Sequence, residues 1–326
     1  MKLLLTCGGT AGHVYPAVAL ARVFQRHYQD CQVLFVGADG GMELKLVAQE
    51  GYPIATVTIS NFRRSLSPKQ WGHNLKSAWN VVHSRRQAAG ILKDFSPDLV
   101  VGTGGYASFP AVRQAARMGI PTAIHESNAS PGLTTRTLAK YVDLVMVGFE
   151  EAVKSYEDPS KVKVTGTPVR PDFFALTRQQ ARAKLGLTDD RPVVLSFWGS
   201  LGASVMNREM LDFMACWREE DMPFHHIHGA GRDYETMRQG LSGRGLDPKD
   251  FDLRQYIYDM PTVMAAADLV LCRAGASTLS ELTATGKPAI LVPSPNVTNN
   301  HQEKNARVLE RHGAAVVLLE SECDGR

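Results

Sequence analysis

The sequence predicts an α/β protein made of two doubly wound, parallel-sheet domains, and three observations carry that prediction. Short apolar runs alternate with amphipathic helical stretches along the chain, the rhythm of βαβ units. A Pro- and Gly-rich break, "VTGTPVRPDFF" (Val164–Phe174), interrupts the series, which then begins again. Several apolar runs also end in glycine turns, at the sheet edge where α/β proteins bind ligands. The break assigns residues 1–163 to an N-terminal domain and 164–326 to a C-terminal one, with a cleft between them.

The first half places strands at Lys2–Thr6, Gln32–Gly37, Leu99–Gly102, Thr122–His125 and Leu144–Val147. Helical patterns lie between them at Ala17–His27, Met42–Glu50 and Ala107–Met118. The second half places strands at Val193–Phe197, His225–His228, Leu269–Cys272, Ala289–Val292 and Ala315–Leu318. The architecture repeats, while the residues do not.

Length and composition agree with this reading. A chain of 326 residues suits two domains, and 44% hydrophobic with 21% charged residues is ordinary for a soluble globular protein. No apolar run approaches the ~20 residues of a membrane helix. The opening Met1–Thr6 run is too short for a signal peptide and reads as a buried strand. The 5 cysteines are scattered and form no CxxC pair, which speaks against a disulfide framework or a zinc knuckle and for a reducing cytoplasm. Charge is uneven. Residues 1–172 carry 19 Lys/Arg against 13 Asp/Glu, and the remainder 17 against 20. Between Gly51 and Lys93 there is no acidic residue but there are 7 basic ones, a field that favours an anionic partner such as nucleic acid, a phosphorylated ligand or lipid headgroups.

Three glycine turns follow predicted strands: Gly8–His13, Gly102–Tyr106 and Gly199–Ala203. Glycine lets backbone N–H groups approach a ligand, and a helix N-terminus adds partial positive charge, so such turns suit phosphate. Glycines that merely make tight turns are the plainer alternative. No Walker lysine follows, and Gly8, Gly9 and Gly12 miss the GxGxxG spacing, although Asp39 stands where a ribose-binding acid would. In "CRAGASTLSE", Thr278 and Glu281 have capping-box spacing, while Ala276–Thr278 amides on a phosphate with Glu281 on a ribose is the alternative reading. The amide-rich "SPNVTNNHQEKNA" (Ser294–Ala306) suits a sugar, or a solvent-facing helix start.

Taken in order, "GGTAGHVYPA", "GTGGYASFP", "IHESNASPG", "TGTPVR", "WGSLGA", "CRAGASTLSE" and "VPSPNVTNNHQEKNA" resemble the GlcNAc transferases that complete lipid II in peptidoglycan synthesis. The resemblance runs from Lys2 to about Leu319. It implies the GT-B fold, two facing Rossmann-like domains. It also implies inverting transfer of GlcNAc from UDP-GlcNAc to the C4 hydroxyl of undecaprenyl-pyrophosphoryl-MurNAc-pentapeptide at the cytoplasmic face of the cell membrane, with no cofactor and no nucleic-acid partner. By motif, Ser200 would face the UDP phosphates, Arg170 the nucleotide and the Ile257 backbone the uracil. Ala276, Ser277, Thr278, Leu279 and Ser280 would support the diphosphate, Glu281 the ribose and Gln302 the GlcNAc hydroxyls. Thr10, Ala11, Gly12, His13 and Asn128 would complete the site, with Gly104, Gly105 and Tyr106 at the acceptor pyrophosphate. Ala11 stands where the family usually has glycine, and a positive φ there would cost roughly 1 kcal/mol. Relatives continue with further helices, the last returning to the N-terminal domain. This chain stops at "ESECDGR", so the expectation is that it is either truncated or without that closing element.

Inverting transfer needs a base for the acceptor hydroxyl and charge stabilisation at the leaving UDP. His13, beside the first turn, is the first candidate base, and Glu126 the alternative. His125 reads as a packing residue. No metal cluster or DxD is visible. Alternate histidines in "HHIH" (His225–His228) would share a face and could hold a metal. Trp71, Leu75, Trp79 and Val82 recur on one helical face among Arg63, Arg64, Lys69, Lys76, Arg85 and Arg86, the make-up of an interfacial helix. The plainer alternative buries those aromatics in the core. Two other functions share parts of this pattern: a UDP-GlcNAc 2-epimerase-like isomerase and a non-catalytic UDP-sugar-binding protein.

Overall fold

A computed structural model describes residues 1–59, 83–199, 202–216 and 222–323. The chain falls into two compact units, Met1–Arg170 and Pro171–Arg326. Each is a parallel sheet with helices on both faces, the fold class the sequence predicts.

The first unit runs β1 (Lys2–Thr6), α1 (Ala11–His27), β2 (Gln32–Ala38), α2 (Met42–Gln49), β3 (Ile54–Val57) and helical residues 83–95 (α3). It continues β4 (Leu99–Gly102), α4 (Ser108–Arg117), β5 (Thr122–Glu126), α5 (Leu133–Leu138), β6 (Leu144–Val147) and β7 (Val162–Val164). Its strand order is β3-β2-β1-β4-β5-β6-β7. The central strands are continuous apolar runs because both faces are covered. Leu4, Val36, Val100 and Ile124 pack under α4 and α5. Leu3, Leu5, Phe35 and Val101 pack against Val14, Ala17, Val18 and Ala21 of α1.

The second unit runs α6 (Arg178–Lys184), β8 (Val193–Phe197), α7 (Ser204–Ala215), β9 (His225–Gly229), α8 (Tyr234–Gly243), β10 (Asp252–Arg254) and α9 (Met260–Ala266). It continues β11 (Leu269–Cys272), α10 (Ala276–Thr285), β12 (Ala289–Leu291), α11 (His301–Arg311) and β13 (Ala315–Val317). Its order is β10-β9-β8-β11-β12-β13. Met206, Met210, Met214, Met237 and Leu241 form its main core with Trp198 and Phe251.

The strands β3, β7 and β10 are not in the sequence reading. All three are edge strands, and β7 ("VKV") and β10 ("DLR") are too short and polar to stand out. α1 starts six residues before the expected Ala17, at Ala11, and runs through Pro16. The buried stripe Val14–Pro16–Ala17–Val18 outweighs the hydrogen bond that proline forfeits. In both units the winding reverses beside the first strand, between β1 and β4 and between β8 and β11. The loops leaving those strands flank the crevice where doubly wound sheets take ligands.

Candidate active site

In the first unit, the glycine turns beside that crevice are packed against protein groups. His13 is the third residue of α1. Its Nδ1 lies 3.1 Å from the Thr103 carbonyl, which can only accept, so Nδ1 carries the proton. Thr103 Oγ1 donates back to the His13 carbonyl at 2.6 Å. In the neutral ring this leaves Nε2 as the lone-pair nitrogen. A Cβ on Gly104 (φ +108°) would stand 2.5 Å from His13 Nδ1. One on Gly105 (φ +80°) would collide with the Gly8 carbonyl, and the Tyr106 ring covers Gly9. The first and second glycine turns are thus fitted to each other. Ala11 opens α1 and is absent from the positive-φ residues, so alanine carries no backbone penalty there.

Glu126, at the end of β5, is 4% exposed and saturated with donors. Oε1 accepts from Asn128 N at 3.0 Å and Asn128 Nδ2 at 2.9 Å, and Oε2 from Gly132 N at 3.0 Å and from Thr135 Oγ1. It ties the Asn128–Gly132 loop to the start of α5. His125 is wholly buried, donates from Nε2 to Gly166 O at 2.9 Å, and has its pKa lowered chiefly by burial. Arg170 stacks 4.7 Å from the Tyr15 ring centroid and lies 3.7 Å from Glu50.

In the second unit the crevice is a cavity of about 360 Å³. Gly199, Gly202 and Ser204 bound it after β8, Arg273, Gly275 and Thr278 after β11, and Ser294 and Gln302 after β12. α10 begins at Ala276 with Gly275 as N-cap and no side-chain cap, so the helix N-terminus is left to the cavity. Thr278 therefore lies inside the helix, and the capping-box reading of Thr278 and Glu281 is overturned. Glu281 is half-buried, close enough that, after burial, it is the second cause raising the Cys272 thiol pKa. Ser280 Oγ donates back to Ala276 O at 2.9 Å. Leu279 (1% exposed) and Ile257 (6%) turn their side chains into the core, which leaves only their backbones to a ligand. Gln302 Oε1 accepts from Ser294 N at 2.8 Å, so the carboxamide turns its N–H₂ elsewhere.

The histidines of "HHIH" support this cavity instead of forming a metal site. His226 Nε2 and His228 Nδ1 each lie 2.7 Å from Ser196 Oγ. His228 Nε2 lies 3.2 Å from Asn207 Oδ1, an acceptor, so it carries a proton and its Nδ1 accepts from Ser196. His226 Nε2–H then donates to Ser196. Asn207 Nδ2 continues to Ala230 O and Asp233 Oδ2, both at 2.8 Å, and Asp233 Oδ1 takes Ser204 Oγ at 3.0 Å. Burial pushes the His226 pKa down to about 4 and that of His228 well down, so both rings are neutral. Among the described residues no group of three or more His, Cys, Asp or Glu is placed to hold a metal ion.

Arg273, Glu320 and Trp198 line the cavity without a role assigned to them from sequence. Arg273, 9% exposed, donates to Val292 O at 3.1 Å, pairs with Glu320 and lies 6.0 Å from the Trp198 ring centroid. The signal for Arg273 and Glu320 is a charged residue immediately after an apolar run. For Trp198, it is a bulky residue before the glycine turn. Ser200, Arg63, Arg64, Trp71, Leu75, Lys76 and Trp79 lie outside the described residues.

Residues 3–147 match the glycosyltransferase family 28 N-terminal domain and residues 193–326 its C-terminal domain. The UDP-N-acetylglucosamine--N-acetylmuramyl-(pentapeptide) pyrophosphoryl-undecaprenol N-acetylglucosamine transferase of Acetivibrio thermocellus is 43% identical over 321 residues, 98% of this chain and 85% of the relative. The same-named protein of Desulforamulus reducens is 40% identical over 329 residues, 100% of this chain and 87% of the relative. Among solved structures, Acinetobacter baumannii MurG aligns with TM-score 0.72 and 28% identity, over 99% of this chain and 87% of that one. The UDP-GlcNAc 2-epimerase of Neisseria meningitidis, at TM-score 0.62 and 15% identity, shares the fold alone.

Proposed function

The chain belongs to glycosyltransferase family 28, and on that premise we propose that it moves GlcNAc from UDP-GlcNAc to the MurNAc C4 hydroxyl of undecaprenyl-pyrophosphoryl-MurNAc-pentapeptide, with inversion. The observation that carries this reading is the 43% identity, over 98% of the chain, to a transferase named for that reaction. The epimerase likeness is confined to the fold.

The acceptor oxygen attacks the anomeric carbon, the bond to UDP breaks, and its electron pair leaves on the β-phosphate. His13 Nε2 takes the hydroxyl proton, since Nδ1 is committed to Thr103. Glu126, with four donors on two oxygens, holds the Asn128 loop in place of acting as base. The charge gathering on UDP is met by the N-terminus of α10 at Ala276–Ser280. Glu281 takes the ribose hydroxyls, the Ile257 backbone the uracil, and Gln302, through its N–H₂, the sugar oxygens. Thr10, Ala11, Gly12 and Asn128 receive the acceptor, with Gly104–Tyr106 near its pyrophosphate. Arg170 contacts the nucleotide.

The acceptor is a polyprenyl lipid, yet no helix among the described residues is long and apolar enough to cross a membrane. We assign peripheral contact with an anionic cytoplasmic membrane surface to the acid-free basic segment 51–93.

One experiment tests this reading. UDP release is measured with and without acceptor, the acceptor being carried in neutral or anionic vesicles. Release that requires acceptor, faster on anionic vesicles and slowed by salt, is expected. Release without acceptor points to an epimerase or hydrolase, and binding of UDP with no turnover to a sensor. His13→Ala should lower turnover by ~10²–10⁴-fold with UDP binding intact, and a variant keeping its turnover would remove His13 as base.

A further inference from the structure

Glu43 is fully buried at the start of α2. An acid in a helix's first turn ordinarily faces solvent and complements the helix dipole. Here the carboxylate turns inward. Oε1 accepts from Ala38 N at 2.8 Å and Oε2 from Gly9 N at 3.2 Å, the latter across 34 residues of sequence. Three glycines make room for it. A Cβ on Gly8 would stand 2.8 Å from Oε1, one on Gly37 2.6 Å from Cγ, and one on Gly41 would collide with the carboxyl group itself. The loops after β1 and β2 are thus emptied around one carboxylate. It takes the inward Gly9 amide that the glycine pattern offers to a phosphate. Burial chiefly, and the nearby Glu43 next, raise the pKa values of Cys7 and Tyr106.

From Gly9 the constraint passes directly to the base. Gly9 (φ +85°) is followed by Thr10, the extended N-cap of α1, and His13 N closes the first turn on Thr10 O at 3.1 Å. The imidazole so placed meets Thr103 O. We propose that Glu43 is a positioning residue for transfer: its carboxylate serves as an internal anion that pins the first glycine turn and thereby holds His13 in the Nδ1–H tautomer against Thr103. This rests on His13 acting as the base, but the positioning itself is measured without turnover.

The test uses two variants of the full chain. Glu43→Gln keeps the size and removes the charge. Gly41→Ala keeps Glu43 and drives its carboxylate aside, at a position whose φ of −70° any residue adopts. Long-range ¹⁵N–¹H spectra of the His13 ring report the tautomer. Wild type should show Nδ1–H, and both variants a mixture with Nε2–H. Turnover should fall by about 10²-fold in both, as expected for a misplaced reacting group, with UDP affinity unchanged. Wild-type tautomer in Gly41→Ala, or full turnover per folded molecule in both variants, overturns the proposal. If wild type transfers no GlcNAc, the functional reading fails and the tautomer alone decides this inference. If UDP affinity falls with turnover, the variants have acted through general unfolding and positioning by Glu43 is rejected.

Discussion

The two units place the same device at the same point and pack it to different degrees. In each, glycine turns leave two neighbouring strands where the winding reverses. In the first unit those turns are occupied from within: Gly105 lies against Gly8, Gly104 makes room for His13, and Gly8, Gly37 and Gly41 for Glu43. In the second, a Cβ on Gly202 (φ +75°) would strike the Ala230 carbonyl at 2.5 Å, but one on Gly199 (φ +84°) would meet no described residue within 4 Å, and the turn borders a cavity of about 360 Å³. Glycine spacing therefore reports that something approaches the backbone closely, and not whether it is ligand or protein.

The largest effect that could break this contrast is on stability. Gly105→Ala must both adopt φ +80° and displace the Gly8 carbonyl, and should cost about 3–5 kcal/mol in denaturant unfolding. Gly199→Ala should cost only the left-handed backbone, about 1–2 kcal/mol. Equal losses would mean that both turns are packed alike.

Next in size is an acid response of the second unit. The folded His226 pKa is about 4, against 6.5 for the free side chain. Between those values the unfolded chain binds a proton that the folded chain does not. Stability is therefore fully present above pH 6.5 and falls as pH drops toward 4, by about 2 kcal/mol at pH 5 from this group. His228 shifts the same way. His226→Phe should flatten that loss between pH 7.5 and 5, and an unchanged slope would mean that the relay under Ser204 is not the titrating element.

The smaller test concerns α10. Glu281→Ala should weaken UDP binding by roughly 1–3 kcal/mol in a calorimetric titration and leave the melting curve in place, because the helix is capped by Gly275 and not by a Thr278–Glu281 box. A lowered melting temperature with intact affinity would return Glu281 to a structural role.

What was legible in the sequence follows from where each signal is stored. The strands β1, β4, β5, β8 and β11 are buried on both faces, so their apolar runs identify them unaided. The edges β3, β7 and β10 have little core to face and leave little pattern. The positions of the glycine turns were legible, and their contents were not. "GGMELKL" looks like an ordinary acidic helix start, and Glu43 becomes an internal anion only because the sheet brings Gly8 and Gly37 beside Gly41. Arg273 and Glu320 are 47 residues apart and meet only at the sheet's carboxyl edge. The helix start at Ala11 was hidden by Gly12 and Pro16, whose low propensity is overridden by packing.

The placement of β1 also has a consequence for synthesis. Leu3 pairs with Val33 on one side but with Leu99 on the other. At 5–20 residues per second, a ribosome needs roughly 3–13 s to add the intervening residues after the first partner is made. Throughout that interval β1 is an open apolar edge, first of a two-stranded sheet and, once β3 is made, of a three-stranded one. Such an edge invites pairing with other chains until β4 covers it.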